Sequence, residues 1–258
     1  MQIDNLTMDI YLISAVILAG FACGFINTIA GSGSLITLPL LIFLGLPANV
    51  ANGTNRVAIA IQNIIGVASF SRQGVLNFRV AIIYAVPAVI GSIVGANIAV
   101  DVNSELMERV IGFVMVGMIP TIIWKPTKLI QKLVSYGDVK KRILNVIVFF
   151  AIGVHGGFIQ AGVGVFLLIG LTIIGDLDLV ESNAIKLFII LCFTLAALYV
   201  FLINGHVNWQ YGLLLSVGNG SGALVGSRMA VKNGEKFVRA ILIAVVVVSA
   251  IKLLGFGL

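Results

Sequence analysis

Apolar residues run along this 258-residue chain in long blocks, interrupted at short intervals by glycine, proline or small polar groups. Taken between interruptions, the blocks predict ten segments: about 10–30, 34–46, 49–71, 79–100 and 107–124, then about 143–161, 165–175, 180–203, 209–230 and 237–256. Most are long enough to cross the ~30 Å hydrocarbon core of a bilayer as α-helices rising 1.5 Å per residue. The short alternating segments of a membrane barrel are missing from the pattern. Helices are then the element that satisfies every backbone group in lipid.

Segments 34–46 and 165–175 stand apart. Their 13 and 11 residues make helices of roughly 16–20 Å, too short to cross. Each follows a flexible break, AGSGS at 30–34 and AGVG at 161–164. A single kinked helix over 10–46 would measure about 55 Å, nearly twice the core. The pattern therefore predicts a re-entrant or broken-helix hairpin that turns at a glycine tip inside the membrane.

The two sets of segments resemble one repeated unit. Gly31, Gly74 and Gly91 correspond to Gly162, Gly205 and Gly222, since 162 − 31, 205 − 74 and 222 − 91 are all 131. Gly33, Asn77 and Gly95 match Gly164, Asn208 and Gly226 at the same interval, and Arg56 matches Lys186 after a one-residue slip. Residues 1–124 are read as a first membrane repeat, 125–142 as a basic cytoplasmic linker and 143–258 as a second membrane repeat. With each hairpin beginning and ending on one side, the five segments of a half leave an odd number of crossings, so the halves should be inverted. The predicted fold is an all-α polytopic membrane protein of two inverted repeats, each a hairpin followed by three transmembrane helices.

Composition agrees. The chain is 60% hydrophobic and 10% charged, with a mean hydropathy of +1.14, whereas soluble domains run about 45–50% and about 25%. The net charge of +6 does not indicate nucleic acid, because six of the 16 cations cluster at Lys125, Lys128, Lys132, Lys140, Lys141 and Arg142. The positive-inside rule puts that cluster in the cytoplasm and, with it, both termini outside. Residues 1–9 hold Asp4 and Asp9 and no Lys or Arg, so the first apolar run is read as a retained helix rather than a secretory signal. Cys23 and Cys192 form no CxxC pair and suggest no disulfide framework.

Broken helices in inverted repeats bring half-helix N-termini to the bilayer midplane, where their positive dipole ends suit an anion. Backbone N–H groups at Gly31, Ser32, Gly33 and Ser34, and at Gly162 and Gly164, are the candidate cradle. The alternative is that these glycines serve close helix packing. If they serve the anion, leucine at Gly31 or Gly33 should abolish binding in a protein that still folds. Arg56 lies about seven residues into its helix, so about 10 Å deep, on a polar stripe with Asn52, Asn55 and Asn63. Lys186 lies at a matching depth beside Ser182 and Asn183. An intramembrane cation costs at least about 2.5–3.5 kcal/mol and usually faces a pathway, although both long stems would also allow snorkelling to the surface. Asn27 and Gln160, on the first arms of the two hairpins, complete the candidate substrate site. His155 is a candidate proton relay or a packing residue.

These residues carry a family resemblance. GFINTIAGSGS at 24–34, LP at 38–39, GLP at 45–47 and ANGTNR at 51–56 resemble the signature of the sulfite exporter TauE/SafE family, also called toluene-sulfonate uptake permeases. GFIQAGVG at 157–164 is similar to that family's second-half motif. The resemblance covers nearly the whole chain. It implies a multi-pass carrier in a prokaryotic inner membrane for sulfite or organosulfonates, working in either direction. Lys186 rests on the internal repeat alone. A passive anion channel and a non-transporting assembly protein stay open as alternatives. An enzyme is disfavoured, because His155 and His206 have no metal-ligand spacing and no intramembrane acidic pair accompanies them. No cofactor or metal is implied. The expected partners are a small anion and lipid, with no nucleic acid, and a homodimer is an open alternative.

Overall fold

The computed structural model describes residues 10–29, 31, 33–123 and 138–253, all helix or short turn. The described helices are α1 (Ile10–Ile29), α2 (Ser34–Phe43), α3 (Ala48–Arg72), α4 (Phe78–Asp101), α5 (Ser104–Ile123), α6 (Asp138–Phe158), α7 (Val163–Ile173), α8 (Leu179–Ile203) and α9 (Trp209–Leu253). Polar caps start the helices that follow exposed turns. Asn77 accepts from the N–H groups of Arg79 and Val80 at α4, and Asp178 from those of Val180 and Glu181 at α8. Such caps satisfy N–H groups that have no partner inside the helix.

Both short helices fold back on their predecessors. Cys23 of α1 lies beside Thr37 of α2, while Val16, earlier in α1, packs with Leu41 and Leu46. In the other half α7 packs back on α6, with Phe149 against Gly170. Each half therefore holds a helical hairpin with a short second arm.

Seams of small residues align the long helices. α1 and α9 run parallel: Gly20 meets Leu215 and Gly24 meets Asn219, while Gly218 and Gly222 lie on the backbone of Ile17 to Phe25. α4 and α6 run parallel in the same way, Gly91 and Gly95 against Phe150 and Val154, and Gly153 and Gly157 against Ala88 and Ser92. Close backbone approach of this kind drives association in lipid, where apolar burial offers little. α3 and α8 run antiparallel at the centre, with Gly53 against Phe201 and Gly66 against Leu187. Ile82, Ile83, Ile90 and Ile98 of α4 point outward, as a lipid-facing surface requires.

Among the described residues, three helices are long and apolar enough to count as spans on composition, over 12–29, Phe78–Asp101 and Leu179–Ile203. The 25-residue α3 has the length, but its buried polar stripe lowers its hydropathy. Two boundaries differ from expectation. The second half begins with a helix at Asp138 rather than at 143, while 124–137, most of the basic linker, lies outside the described residues. The expected break between 230 and 237 is missing, since α9 continues for 45 residues. The stretch VKNGEK at 231–236 contains no proline, and one glycine costs only about 1 kcal/mol in a helix.

Candidate functional site

The two hairpins turn at Gly31 and Gly162, with φ of 79° and 76°. Side chains avoid this left-handed region, whereas glycine adopts it freely. The tips meet. A Cβ on Gly31 would overlap the backbone of Gly164, and one on Gly164 would overlap Gly31. Gly33 is held against the Cys23 carbonyl, with no room for a side chain. The glycines thus do pack, and substitution with leucine cannot leave the fold intact as expected. α2 begins after Gly33 and α7 after Gly162, neither with a side-chain cap. The residue before each of these helices offers no side chain of the kind that Asn77 and Asp178 supply at α4 and α8, although Asn27 of α1 accepts from the Gly33 N–H.

Polar side chains from both halves surround the tips. Asn27 Oδ1 accepts from the Gly33 N–H at 2.7 Å, and its Nδ2 reaches Gln62 at 3.3 Å. Thr37 donates to Asn55 Oδ1 at 2.7 Å. Gln160 Nε2 donates to Thr194 at 2.6 Å. Ser34 is buried at the start of α2. His155 donates from Nε2 to the Ala161 carbonyl at 3.0 Å and stands edge-on to Phe166, bracing the second tip. Ser32 lies outside the described residues.

Arg56 and Lys186 are both fully buried, so neither snorkels to the surface. Both cross to the opposite half. Arg56 Nη1 donates to the Gly156 carbonyl at 3.0 Å and Nη2 to the Gly157 carbonyl at 2.5 Å. Asn52 Nδ2 takes the next carbonyl, Phe158, at 2.7 Å. The guanidinium also lies 4.6 Å from the centre of the Phe201 ring. Lys186 Nζ donates to the Asn27 and Thr28 carbonyls at 2.9 and 3.0 Å and to Asn183 Oδ1 at 2.6 Å. An ammonium has three donors, and all of these are used. Asn55 Nδ2, Arg56 Nε and Asn183 Nδ2 are buried donors without a partner among the described residues, and Gln160 Oε1 is an acceptor without one.

Several contributors escaped the sequence analysis: Cys23, Thr37, Gln62, Thr194, Phe201 and Asn219, whose Nδ2 donates to Gln62 at 3.3 Å. Gln62 follows Asn55 by seven residues on the same helical face and stands next to Asn63, so it belonged to the polar stripe already read. Asn219, a lone amide between Gly218 and Gly220 in an apolar run, was also visible. Phe201 carried no signal, being one aromatic among many apolar neighbours.

A family model described as Sulfite exporter TauE/SafE matches residues 16–253. The chain belongs to the sulfite exporter TauE/SafE family. Curated relatives of this TauE/SafE chain are named as transporters over nearly their full length. A probable membrane transporter protein ORF9 of Sinorhizobium sp is 28% identical, covering 95% of this chain and 93% of the relative. A probable membrane transporter protein of Haemophilus influenzae is 23% identical, covering 92% of each. The probable membrane transporter protein YfcA of Escherichia coli K12 is 25% identical, covering 94% and 90%. No solved structure matches the chain. This TauE/SafE chain is accordingly a membrane protein of a transporter family, and not an enzyme.

Proposed function

We propose that this protein carries a small sulfur-containing oxyanion, sulfite or an organosulfonate, out across a prokaryotic inner membrane by alternating access. One observation carries this reading: two uncapped hairpin tips meet in the interior at Gly31 and Gly164, beside two fully buried cations. An anion that leaves water loses its hydration, and fixed donors and positive charge must replace it. Each helix N-terminus supplies about half an elementary charge and free N–H groups. The buried amide donors of Asn55 and Asn183 that lack partners among the described residues are suited to complete such a site.

Alternating access needs two bodies that rock about the site. The antiparallel course of α3 and α8, which correspond in the internal repeat, favours two inverted halves. So does the exchange of pairings, in which α1 lies on α9 and α6 on α4. A thermal-shift series in detergent tests the substrate class. Sulfite and short organosulfonates are expected to raise the transition temperature, since ligand at 100 times Kd adds about 2.7 kcal/mol to the native state. Neutral sulfones of the same size should leave it unchanged. Equal shifts for the neutral compounds, or none for any anion, would reject an anion site.

A further inference from the structure

A re-entrant hairpin has an electrostatic problem at its tip. The C-terminus of its first arm and the N-terminus of its second lie side by side, and their opposite poles of about half a charge cancel. An anion placed there would meet helix-end carbonyls as well as the N–H groups it needs. The hairpins α1–α2 and α6–α7 both have this form.

In each hairpin a cation from the other half covers the C-terminal pole. α6 ends at Phe158, and its last carbonyls, of Gly156, Gly157 and Phe158, are taken by Arg56 and Asn52 of α3. α1 ends at Ile29, and its Asn27 and Thr28 carbonyls are taken by Lys186 of α8, itself held by Asn183. The two arrangements are reciprocal. One uses a guanidinium with an Asn four residues earlier in the chain, the other an ammonium with an Asn three residues earlier. The Lys186 ammonium has no donor left for a ligand, and Arg56 keeps only Nε among its unpartnered atoms.

We propose that Arg56 and Lys186 are positioning residues: each caps the C-terminal carbonyls of the opposite half's hairpin, so that the positive helix poles, and not the carbonyl ends beside them, face the transported anion. The cations then act on the anion through the hairpins and tie each tip to the half that moves against it. This rests on the anion-carrier reading for the identity of the ligand, but the capping itself is testable with no anion present.

The test is hydrogen exchange followed by mass spectrometry on the full chain in detergent, paired with sulfite flux in proteoliposomes. Arg56→Gln should speed exchange at 153–158, about 100 residues away in sequence, by roughly tenfold or more, and leave 24–29 near wild type. Lys186→Gln should do the reverse. Asn52→Ala and Asn183→Ala, which keep both charges, should give the same crossed pattern more weakly, and they serve if the Gln variants do not fold. Arg56→Lys should restore both exchange protection and flux, because Lys186 already grips two carbonyls in the equivalent place. A residue that contacted the anion through its planar fork would not be replaced by lysine. If wild type carries no sulfite, the anion-carrier reading fails while the exchange pattern still decides the capping. Equal exchange changes in both hairpins, no change in either, or flux lost in Arg56→Lys despite normal protection would overturn the proposal.

Discussion

Arg56→Gln is expected to lower the stability of the protein by about 3 kcal/mol, because buried hydrogen bonds from a charged donor are lost. Two bonds from a charged donor are lost, each worth about 1.5–3 kcal/mol. The carbonyls of Gly156 and Gly157 are then left facing the interior. The contact with Phe201 goes as well, and a desolvated cation–π pair is worth about 2 kcal/mol. Glutamine can replace one of the bonds but not the charge. Anion flux should fall at least about 100-fold, the equivalent of about 2.7 kcal/mol at the site. Detergent thermal melts and proteoliposome flux, measured on the same preparation, check both parts. Wild-type stability and flux together would mean that the guanidinium holds nothing that matters.

Gly164→Leu is expected to do more damage than any substitution of similar size elsewhere in α7. The added side chain would have to occupy the backbone of Gly31, and backbone cannot step aside as a flexible side chain would. Overpacking a tight interior costs about 1–3 kcal/mol even where side chains can shift. Here the first hairpin has to move, so both folding yield and flux should collapse. Gly74→Ala is the matched control, because Gly74 has φ 71° with open space around it. It should cost only the left-handed backbone strain of about 1–2 kcal/mol and keep flux. Size-exclusion profiles and flux for the two variants decide this. A monodisperse, active Gly164→Leu protein would show that the tips do not need to touch.

The hairpins were legible in the sequence because length is decisive in a bilayer. Segments of 13 and 11 apolar residues cannot cross, and a glycine break before each fixes where the chain turns. Arg56 was legible because a cation in an apolar helix has few inexpensive explanations. Its partners were not. Gly156 and Gly157 lie 100 and 101 residues away and contribute carbonyls, which every residue has, so no residue type marks them. Lys186 shows the same limit: the repeat gave its position, while its hold on the Asn27 and Thr28 carbonyls depends on how the halves dock. The roles of Gly31 and Gly33 were half legible. Conformational freedom at a tip can be read from glycine, but contact with Gly164 or with the Cys23 carbonyl cannot. The missing break near 234 has a different origin. Polar residues suggested a turn, but helix hydrogen bonds are local, and without proline nothing there interrupts them.

The carrier itself is best tested by efflux of sulfite from proteoliposomes holding the purified wild-type chain, with protein-free vesicles and Arg56→Gln vesicles alongside. Efflux should exceed that of protein-free vesicles, saturate as internal sulfite rises, and accelerate when unlabelled sulfite is added outside, as exchange through one alternating site requires. Arg56→Gln vesicles should stay close to the protein-free rate. Efflux that rises linearly without saturation and ignores external sulfite would make the protein a passive pore. Efflux equal to that of protein-free vesicles, for sulfite and for organosulfonates alike, would contradict the account.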